Sequence, residues 1–316
     1  MQRPLRLLVA AGALPLACSG TDPQTLDPGL LGKKSYEQTF ARDASPDRFG
    51  HVYKGLATWG YFGAEPEMRR TGRFGSQQQR ATSRTWPGIN DMYVDHSYCP
   101  GARTPLVRDG ALHIVAYRFS AADRASCGQG RQWASAFVSS QPSFAQTFGY
   151  FEIDATIPCD PGRWPAFWLL PVKKTPENGG RLAEIDVFEH YGGAITLTSQ
   201  GRPVEINRRG QPFATLHAGV TGNEQRWTNA DKLPKLTEAE RDAFCKAPHT
   251  YGVLWRPDEF RFYIDRRETL RTPNPGVTDP HYWVLNLDIS PRAGNPDLKP
   301  EPSSYIIRSV RAWTLK

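Results

Sequence analysis

The sequence predicts an all-β domain that is folded as a β-sandwich. Apolar and polar residues alternate with a period of two in several short segments, most clearly in 151–157 and 260–264, and this alternation is typical of half-buried strands. Turn-forming residues are abundant, with 28 glycines and 27 prolines among 316 residues. Many short strands joined by such turns favour a single sandwich domain in a chain of this length.

Thr237–Lys246 is the only segment with the signals of a helix. Its first residues, Thr237-Glu238-Ala239-Glu240, form a capping box, in which the threonine and the second glutamate each accept a hydrogen bond from a backbone N–H of the first turn. The last strand is predicted between Tyr305 and Trp313, where apolar residues alternate again.

The first 18 residues are predicted to be an export signal. Arg3 and Arg6 precede an apolar run, Leu7–Ala17, which is too short to span a bilayer. The run ends in Leu-Ala-Cys-Ser-Gly, which resembles a bacterial lipoprotein cleavage site with Cys18 as the lipidated residue. We therefore expect either an outer-membrane or periplasmic lipoprotein, tethered to the membrane through Cys18, or ordinary signal cleavage and secretion.

The remaining chain is divided into a tether and a folded domain. Residues 19–46 are rich in Pro, Gly, Asp, Ser and Thr, which predicts a flexible tether, and the folded domain is expected over 47–316. Four cysteines in an exported chain suggest two disulfides, with three pairings left open. These cysteines are Cys99, Cys127, Cys159 and Cys245, and no two of them have the spacing of zinc ligands.

The charge of the chain is modest. The formal charge is +7, and the signal segment holds two arginines and no acid, so the rest of the chain carries about +5. We interpret this excess as ordinary surface composition, and attraction to a polyanionic glycan is the alternative. No run interleaves arginines with aromatic residues, so a nucleic-acid partner is not expected. A monomer is expected.

Three acids interrupt an apolar run at Glu184-Ile185-Asp186-Val187-Phe188-Glu189. Burying a carboxylate is costly unless it is paired or has a chemical function. Side chains alternate along a strand, so Glu184 and Asp186 share one face and Glu189 would point to the other. A β-bulge near Val187-Phe188 would return Glu189 to the first face.

Converging carboxylates of this kind predict glycoside hydrolysis. Two glutamates placed in this way would approach to roughly 5–6 Å, near the ~5–5.5 Å of a retaining glycosidase pair. One carboxylate then attacks the anomeric carbon, and the other group protonates the departing oxygen. Asp186, between them, would hydrogen-bond the nucleophile or share a proton with it. A solvent-facing strand that carries clustered acids is the alternative interpretation.

The segments around these acids closely resemble glycoside hydrolase family 16, the laminarinase, agarase and carrageenase group. The resemblance covers about 109–313, and this chain is similar to the longer Glu-x-Asp-x-x-Glu type. It implies a jelly roll of the concanavalin A type with an open substrate cleft on the concave sheet. It also implies that Glu184 is the nucleophile, Asp186 the assisting acid and Glu189 the general acid/base. The matching segments are Gly149–Asp154, Gly162–Pro171, His249–Trp255 and Tyr282–Leu287.

Three further residues are candidates for substrate binding. Trp164 and Trp168 lie in a Trp-Pro-Ala-Phe-Trp segment that resembles the cleft wall of the family, and an aromatic face packs well against the C–H face of a pyranose. Packing in the core is the alternative for both. His217 matches a family histidine near the scissile bond, and a structural histidine is the alternative interpretation.

Other polar residues are predicted to have structural roles or none. The amide of Asn286 lies on an apolar strand and must find hydrogen-bond partners, which favours a structural role. Glu152 and Asp154 share a face and are predicted to be solvated. Residues 58–65 lack the Asn of the family's Trp-Gly-Asn-x-Glu pattern, and 69–98 match no family pattern, so the polysaccharide and its linkage stay open.

The sequence thus predicts an exported retaining endo-β-glycanase that hydrolyses internal β-glycosidic bonds of a polysaccharide by double displacement. A transglycosylase on the same fold, or a carbohydrate-binding jelly roll without catalysis, is the alternative. No cofactor is required, and no metal is expected at the three acids. The family resemblance implies a structural calcium away from the cleft, for which the sequence shows no clear ligand set.

Overall fold

A computed structural model of the chain describes residues 24–58, 89–172, 181–193, 195–199, 202–206, 211–220, 223–230, 232–233 and 236–316. The predicted signal segment, including Cys18, lies outside these residues. Across the described ranges, no helix combines the length and the apolar character needed to cross a bilayer.

The described residues form eighteen strands and three short α-helices. The helices are α1 (Phe49–Val52), α2 (Ala121–Ser126) and α3 (Glu238–Lys246). The strands are β1 (Leu31–Thr39), β2 (Asp91–Tyr93), β3 (Leu106–Arg108), β4 (Ala111–Arg118), β5 (Trp133–Ser135), β6 (Phe137–Ser139), β7 (Gly149–Thr156), β8 (Arg163–Pro171), β9 (Arg181–Glu189), β10 (Ile195–Ser199), β11 (Arg202–Ile206), β12 (Phe213–Val220), β13 (Asn223–Thr228), β14 (His249–Trp255), β15 (Glu259–Ile264), β16 (Arg267–Pro273), β17 (His281–Ile289) and β18 (Ser303–Leu315).

The strands are arranged in two large sheets that share one core. The first sheet has the order β16-β15-β14-β7-β18-β4-β5-β2, with β1 paired to β18 and β3 to β4. The second sheet has the order β13-β12-β9-β8-β17-β6, and β10 and β11 form a separate pair. Alternate residues of both sheets meet in a continuous apolar cluster. The predicted β-sandwich is therefore confirmed.

The shared core fixes which face of the second sheet is free for function. In β8 the side chains of Phe167 and Leu169 lie in the core between the sheets, whereas Ala166 and Trp168 lie in a separate cluster on the other side. We call this second side, which points away from the shared core, the outer face. Burying a large apolar side chain contributes about 1.5–3 kcal/mol, so a register slip that exchanged the two faces would be strongly unfavourable.

The N-terminal segment corrects one expectation. Residues 19–46 were expected to form a flexible tether, but Leu31–Thr39 is strand β1, which pairs antiparallel with β18 from Leu31–Leu315 to Thr39–Ser309. Leu26 and Phe40 are buried, and Tyr36 packs against the core. A few apolar anchors within a polar composition are sufficient to dock the segment, so the folded domain includes residues 24–46.

A buried ion pair in the first sheet corrects a second expectation. Glu152 was predicted to be solvated, but it is only 2% exposed. Arg266 donates two hydrogen bonds to its carboxylate, at 2.9 and 3.0 Å, and the Tyr150 hydroxyl donates a third at 2.8 Å. Leu26 lies in the apolar cluster that contains Tyr150. The docked N-terminal segment therefore helps to bury Glu152. The alternation of polar and apolar residues along β7, taken alone, predicts a solvated side chain there.

The predicted helix is confirmed, together with its capping box. Helix α3 begins after Thr237, whose side chain accepts from the N–H of Glu240, and the Glu240 carboxylate accepts from the N–H of Thr237. A shorter helix, α2, was not predicted. Ser120 caps it by accepting a hydrogen bond from the N–H of Asp123. A six-residue helix is too short to show an apolar periodicity, so this cap is its only local signal.

Two disulfides connect the four cysteines, as the export prediction suggests. Cys99 pairs with Cys127, at a sequence separation of 28, and Cys159 pairs with Cys245, at a separation of 86. The second bond joins the segment after β7 to helix α3. Closing loops of these lengths restricts the unfolded chain and stabilises the fold by about 3–5 kcal/mol per bond.

Candidate active site

An irregularity in strand β9 brings the three acids to one face. Against β8, Phe188 pairs with Phe167 and Asp186 pairs with Trp168, so Val187 is an extra residue. The register of β9 against β12 shifts at the same place. Val187 and Phe188 both pack in the shared core, which leaves Asp186 and Glu189 on the outer face. The predicted β-bulge is confirmed.

Glu189 is held by two donors. The Trp164 indole Nε1 donates to Glu189 Oε1 at 3.1 Å, and the Thr215 hydroxyl lies 3.5 Å from Oε2. Trp164 meets the Tyr191 ring edge to face, with centroids 4.9 Å apart, which fixes the indole. Glu189 itself is partly exposed. Its carboxyl is therefore oriented by the sheet and is still within reach of a ligand.

Asp186 lies between the other two acids and is nearly buried, at 4% exposure. Burial raises its pKa to about 7, although the positive charge of Arg226 acts in the opposite direction. It pairs in register with Thr215, the same residue that reaches Glu189. A carboxyl in this environment keeps its proton up to near-neutral pH.

His217 lies next to Glu184 and Asp186 on the outer face. It pairs in register with Glu184, and its Nε2 lies 3.4 Å from Asp186 Oδ2. The ligand atoms of Glu184, Asp186 and His217 all lie within 4.8 Å of one another, and Glu184 is partly exposed. The structure therefore brings together all three predicted acids and His217, with the histidine contacting Asp186.

The two candidate tryptophans have different environments. Trp164 is partly exposed beside Glu189. Trp168 is only 7% exposed, packs edge to face on Phe137 and pairs in register with Asp186. It therefore forms part of the floor beside the acids, whereas Trp164 forms a side wall. Trp283 is fully buried in the shared core.

Sequence reasoning missed a buried polar group next to Trp168. The Trp168 indole Nε1 donates to Asn286 Oδ1 at 2.7 Å, and Asn286 Nδ2 donates to Asp288 Oδ1 at 2.8 Å. The structural role expected for Asn286 fits these bonds. Asn286 and Asp288 are two residues apart on an apolar strand and so share a face, which is the same signal that singled out Glu184 and Asp186.

A sequence model of the family described as glycosyl hydrolases family 16 matches residues 119–290, which is more than half of the chain and includes all three acids. The chain belongs to this family. Two relatives from Rhizobium meliloti are both named endo-1,3-1,4-beta-glycanase. ExsH is 34% identical over 72% of this chain and 44% of its own length, and EglC is 34% identical over 65% and 38%. The chain thus spans less than half the length of these curated relatives.

A solved laminarinase structure has a similar fold. The laminarinase catalytic domain from Thermotoga maritima aligns with a TM-score of 0.60 at 17% identity, over 89% of this chain and 98% of that chain. The likeness supports the fold alone at this identity. The predicted family and its jelly roll are confirmed.

The structural calcium implied by family 16 finds no fitting donors in the clusters of titratable groups that the described residues form. Two of the three clusters contain disulfide cysteines, Cys159 and Cys245 with His190, and Cys99 and Cys127 with Asp123. The third is the Glu184, Asp186 and His217 group of the site. Calcium takes six to eight oxygen ligands, so none of these sets suits it.

Proposed function

We propose that the chain is an exported endo-β-glycanase that cleaves internal β-glycosidic bonds with retention of the anomeric configuration. The observation that carries the proposal is the bulge of β9, which places Glu184, Asp186 and Glu189 on the outer face of the second sheet. In this proposal Glu184 is the nucleophile, Glu189 the general acid/base and Asp186 the assisting acid.

In the first step, Glu184 attacks the anomeric carbon and Glu189 gives its proton to the glycosidic oxygen. The bond from C1 to that oxygen breaks, the leaving sugar departs as an alcohol, and a glycosyl ester forms on Glu184. Trp164 and Thr215 hold the Glu189 carboxyl in place, so the proton is delivered from a fixed direction.

In the second step, Glu189 accepts a proton from water as the water oxygen attacks C1. The ester bond to Glu184 breaks, and the sugar is released with its original configuration. Two inversions at the same carbon restore the starting stereochemistry, and both carboxyls return to their starting protonation states.

Asp186 orients the nucleophile. Its pKa of about 7 means that Asp186 is protonated in mildly acidic solution. A protonated Asp186 donates a hydrogen bond to the Glu184 carboxylate, which orients it for attack. His217 contacts the Asp186 oxygen and fixes this carboxyl in turn.

The substrate class proposed is a β-glucan with 1,3 or mixed 1,3-1,4 linkages. Two relatives of 34% identity are named endo-1,3-1,4-beta-glycanases, which supports this class. A panel of neutral and anionic polysaccharides, scored for new reducing ends, tests it. Release from mixed-linkage glucan supports the proposal, and release only from an anionic galactan contradicts it.

The retaining mechanism is tested by two measurements. NMR of the first product should show the β-anomer before mutarotation, and an α-anomer would reject double displacement. Glu189→Gln should still form the glycosyl ester from an activated aryl β-glycoside, whose leaving group needs no proton. Added azide should then restore turnover as a β-glycosyl azide. Glu184→Gln is the matched control and should give no β-glycosyl azide, because it cannot form the ester.

Product sizing separates hydrolysis from its alternatives. Products shorter than the substrate at all concentrations support a hydrolase, whereas products longer than the substrate at high concentration indicate a transglycosylase. Binding of glucan without any new reducing ends would indicate a carbohydrate-binding protein without catalysis.

Export is also part of the proposal. The N-terminal signal features precede a domain with two disulfides, and such bonds persist in oxidising compartments. Cell fractionation with metabolic labelling by a fatty acid tests the two routes. A label that disappears in Cys18→Ser supports a lipoprotein, unlabelled protein in the medium supports secretion, and retention in the cytoplasm contradicts export.

A further inference from the structure

A chain of hydrogen bonds runs from the floor of the site into a buried acid pair. The Trp168 indole donates to Asn286, and Asn286 donates to Asp288 at 2.8 Å. The Tyr93 hydroxyl also donates to Asp288. Asp91 accepts a bond from the backbone N–H of Ile289 at 2.7 Å. Two residues of strand β2, Asp91 and Tyr93, therefore contact residues of β17.

The two hydrogen bonds from Trp168 to Asp288 run in one direction, each donor lying on the Trp168 side. An indole N–H only donates, so the Asn286 oxygen must accept it and the amide nitrogen must point to Asp288. Burial and the neighbouring Asp288 carboxylate raise the pKa of Asp91 well above its usual value. Burial raises the pKa of Asp288 to about 6, against the hydrogen bonds from Tyr93 and Asn286. Burial therefore favours the protonated form of both carboxyls of this pair.

This polar group lies one strand away from the acids. Trp168 on β8 pairs with Asp186 on β9 on one side and with Val284 on β17 on the other. Asn286 is two residues further along β17 and holds the indole by its only polar atom.

We propose that Asn286 and Asp288 are positioning residues, which fix the indole of Trp168 in the floor of the site beside Asp186, where the ring supports a bound sugar. The inference rests on the proposed function, because it needs a glycan at the outer face. Asp288 is only 6% exposed, so it acts through Trp168 and Asn286 and does not touch the sugar.

Sugar binding in an inactive background tests this role. In Glu184→Gln, calorimetry measures the Kd of a mixed-linkage β-glucan tetrasaccharide. Asn286→Leu and Asp288→Leu should each weaken binding about tenfold, as expected for a lost hydrogen bond of about 1.4 kcal/mol. Asp288→Asn keeps an acceptor oxygen and should bind within about twofold of the background.

A purely structural role is distinguished by a matched control and a double-mutant cycle. Glu152→Gln removes a buried charge from the first sheet and should lower the Tm without changing the Kd. In a Trp168→Phe background, which has no indole N–H, Asn286→Leu should cause no further loss of affinity. Equal losses in both backgrounds would overturn the inference. If Asn286→Leu does not fold, Asp288→Leu provides the same cycle.

The two proposals fail in different ways. If the unmodified chain hydrolyses glucan but the Asn286 and Asp288 variants bind as tightly as their background, only the positioning role is rejected. If the unmodified chain neither hydrolyses nor binds any glucan of the panel, the proposed function is rejected and the positioning role with it.

Discussion

Each sheet of the sandwich carries a nearly buried acid on a central strand, and the two acids have opposite surroundings. Glu152 in the first sheet accepts two hydrogen bonds from the Arg266 guanidinium and one from the Tyr150 hydroxyl. Asp186 in the second sheet lies among two glutamates and a histidine, and burial raises its pKa to about 7.

The difference shows how burial alone fails to identify a catalytic acid. A buried carboxylate with a bidentate arginine is neutralised by its partner and stays a fixed part of the fold. A buried carboxyl without such a bidentate partner keeps its proton instead, and perturbed groups of this kind concentrate at functional sites. The partner of an acid is therefore more informative than its exposure.

The largest predicted effect is on catalysis in the second sheet. Glu184→Gln removes the proposed nucleophile and should lower kcat by at least about a thousandfold, since catalytic groups that act as a unit cost this much when one is lost. Glu152→Gln is the matched change in the first sheet, and kcat at a temperature below its Tm should stay within about twofold of the unmodified chain. Initial rates of reducing-end release measure both.

A result with the opposite pattern would break the comparison. If Glu152→Gln lost activity while folded and Glu184→Gln did not, the catalytic acid would lie in the first sheet. Circular dichroism of each variant establishes that the fold is intact before rates are compared.

Asp186→Asn should separate activity from stability. The loss of the assisting acid should lower kcat about a hundredfold. The folded-state pKa is raised above the unfolded value of about 3.9, so the native state binds more protons. The stability contributed by protonated Asp186 is present below about pH 4 and is lost as the pH rises through about 7. The Tm difference between Asp186→Asn and the unmodified chain should therefore increase in favour of the variant from pH 4 to pH 8.

The other buried acids do not obscure this test. Asp91 and Asp288 also have raised pKa values, but they titrate in both proteins and cancel in the difference. A Tm difference that stays constant with pH would show that Asp186 titrates normally, and the contrast with Glu152 would then lose its physical basis.

The bulge and the face of each acid were predictable from the sequence because they depend on local alternation. Val187 and Phe188 are consecutive apolar residues flanked by acids, and only an extra residue lets both enter the core. The family resemblance supplied the jelly roll. The helix followed from the local capping box of Thr237 and Glu240.

Contacts that are distant in sequence could not be predicted in this way. Arg266 bonds the Glu152 carboxylate from 114 residues away, and Leu26 lies in the cluster of Tyr150, which also bonds it. No local pattern records such partners. Asp91 reaches β17 across a sequence separation of 198. The average composition of residues 19–46 predicted a tether because it gave little weight to Leu26 and Phe40. These few buried apolar side chains are sufficient to hold the segment on the domain.

Breaking the ion pair of the first sheet should affect stability and leave chemistry unchanged. Arg266→Leu leaves the Glu152 carboxylate buried with one hydroxyl partner, and the free energy of unfolding should fall by about 2–3 kcal/mol. Urea denaturation measures the loss. Arg256→Leu removes a surface pair with Asp258 and should leave the urea midpoint nearly unchanged. Equal midpoints for both variants would show that Glu152 is solvated in the folded chain.

The smallest predicted effect concerns the positive charge that lowers the pKa of Asp186. Arg226 is exposed, pairs in register with His217 and lowers the pKa of Asp186 by its positive charge. Arg226→Gln removes that charge, so Asp186 should keep its proton to higher pH, and the alkaline limb of the kcat/KM profile should move upward. Salt of about 1 M screens an exposed charge, so the two profiles should converge there. A limb that moves downward, or a shift that salt does not reduce, would assign the limb to a group other than Asp186.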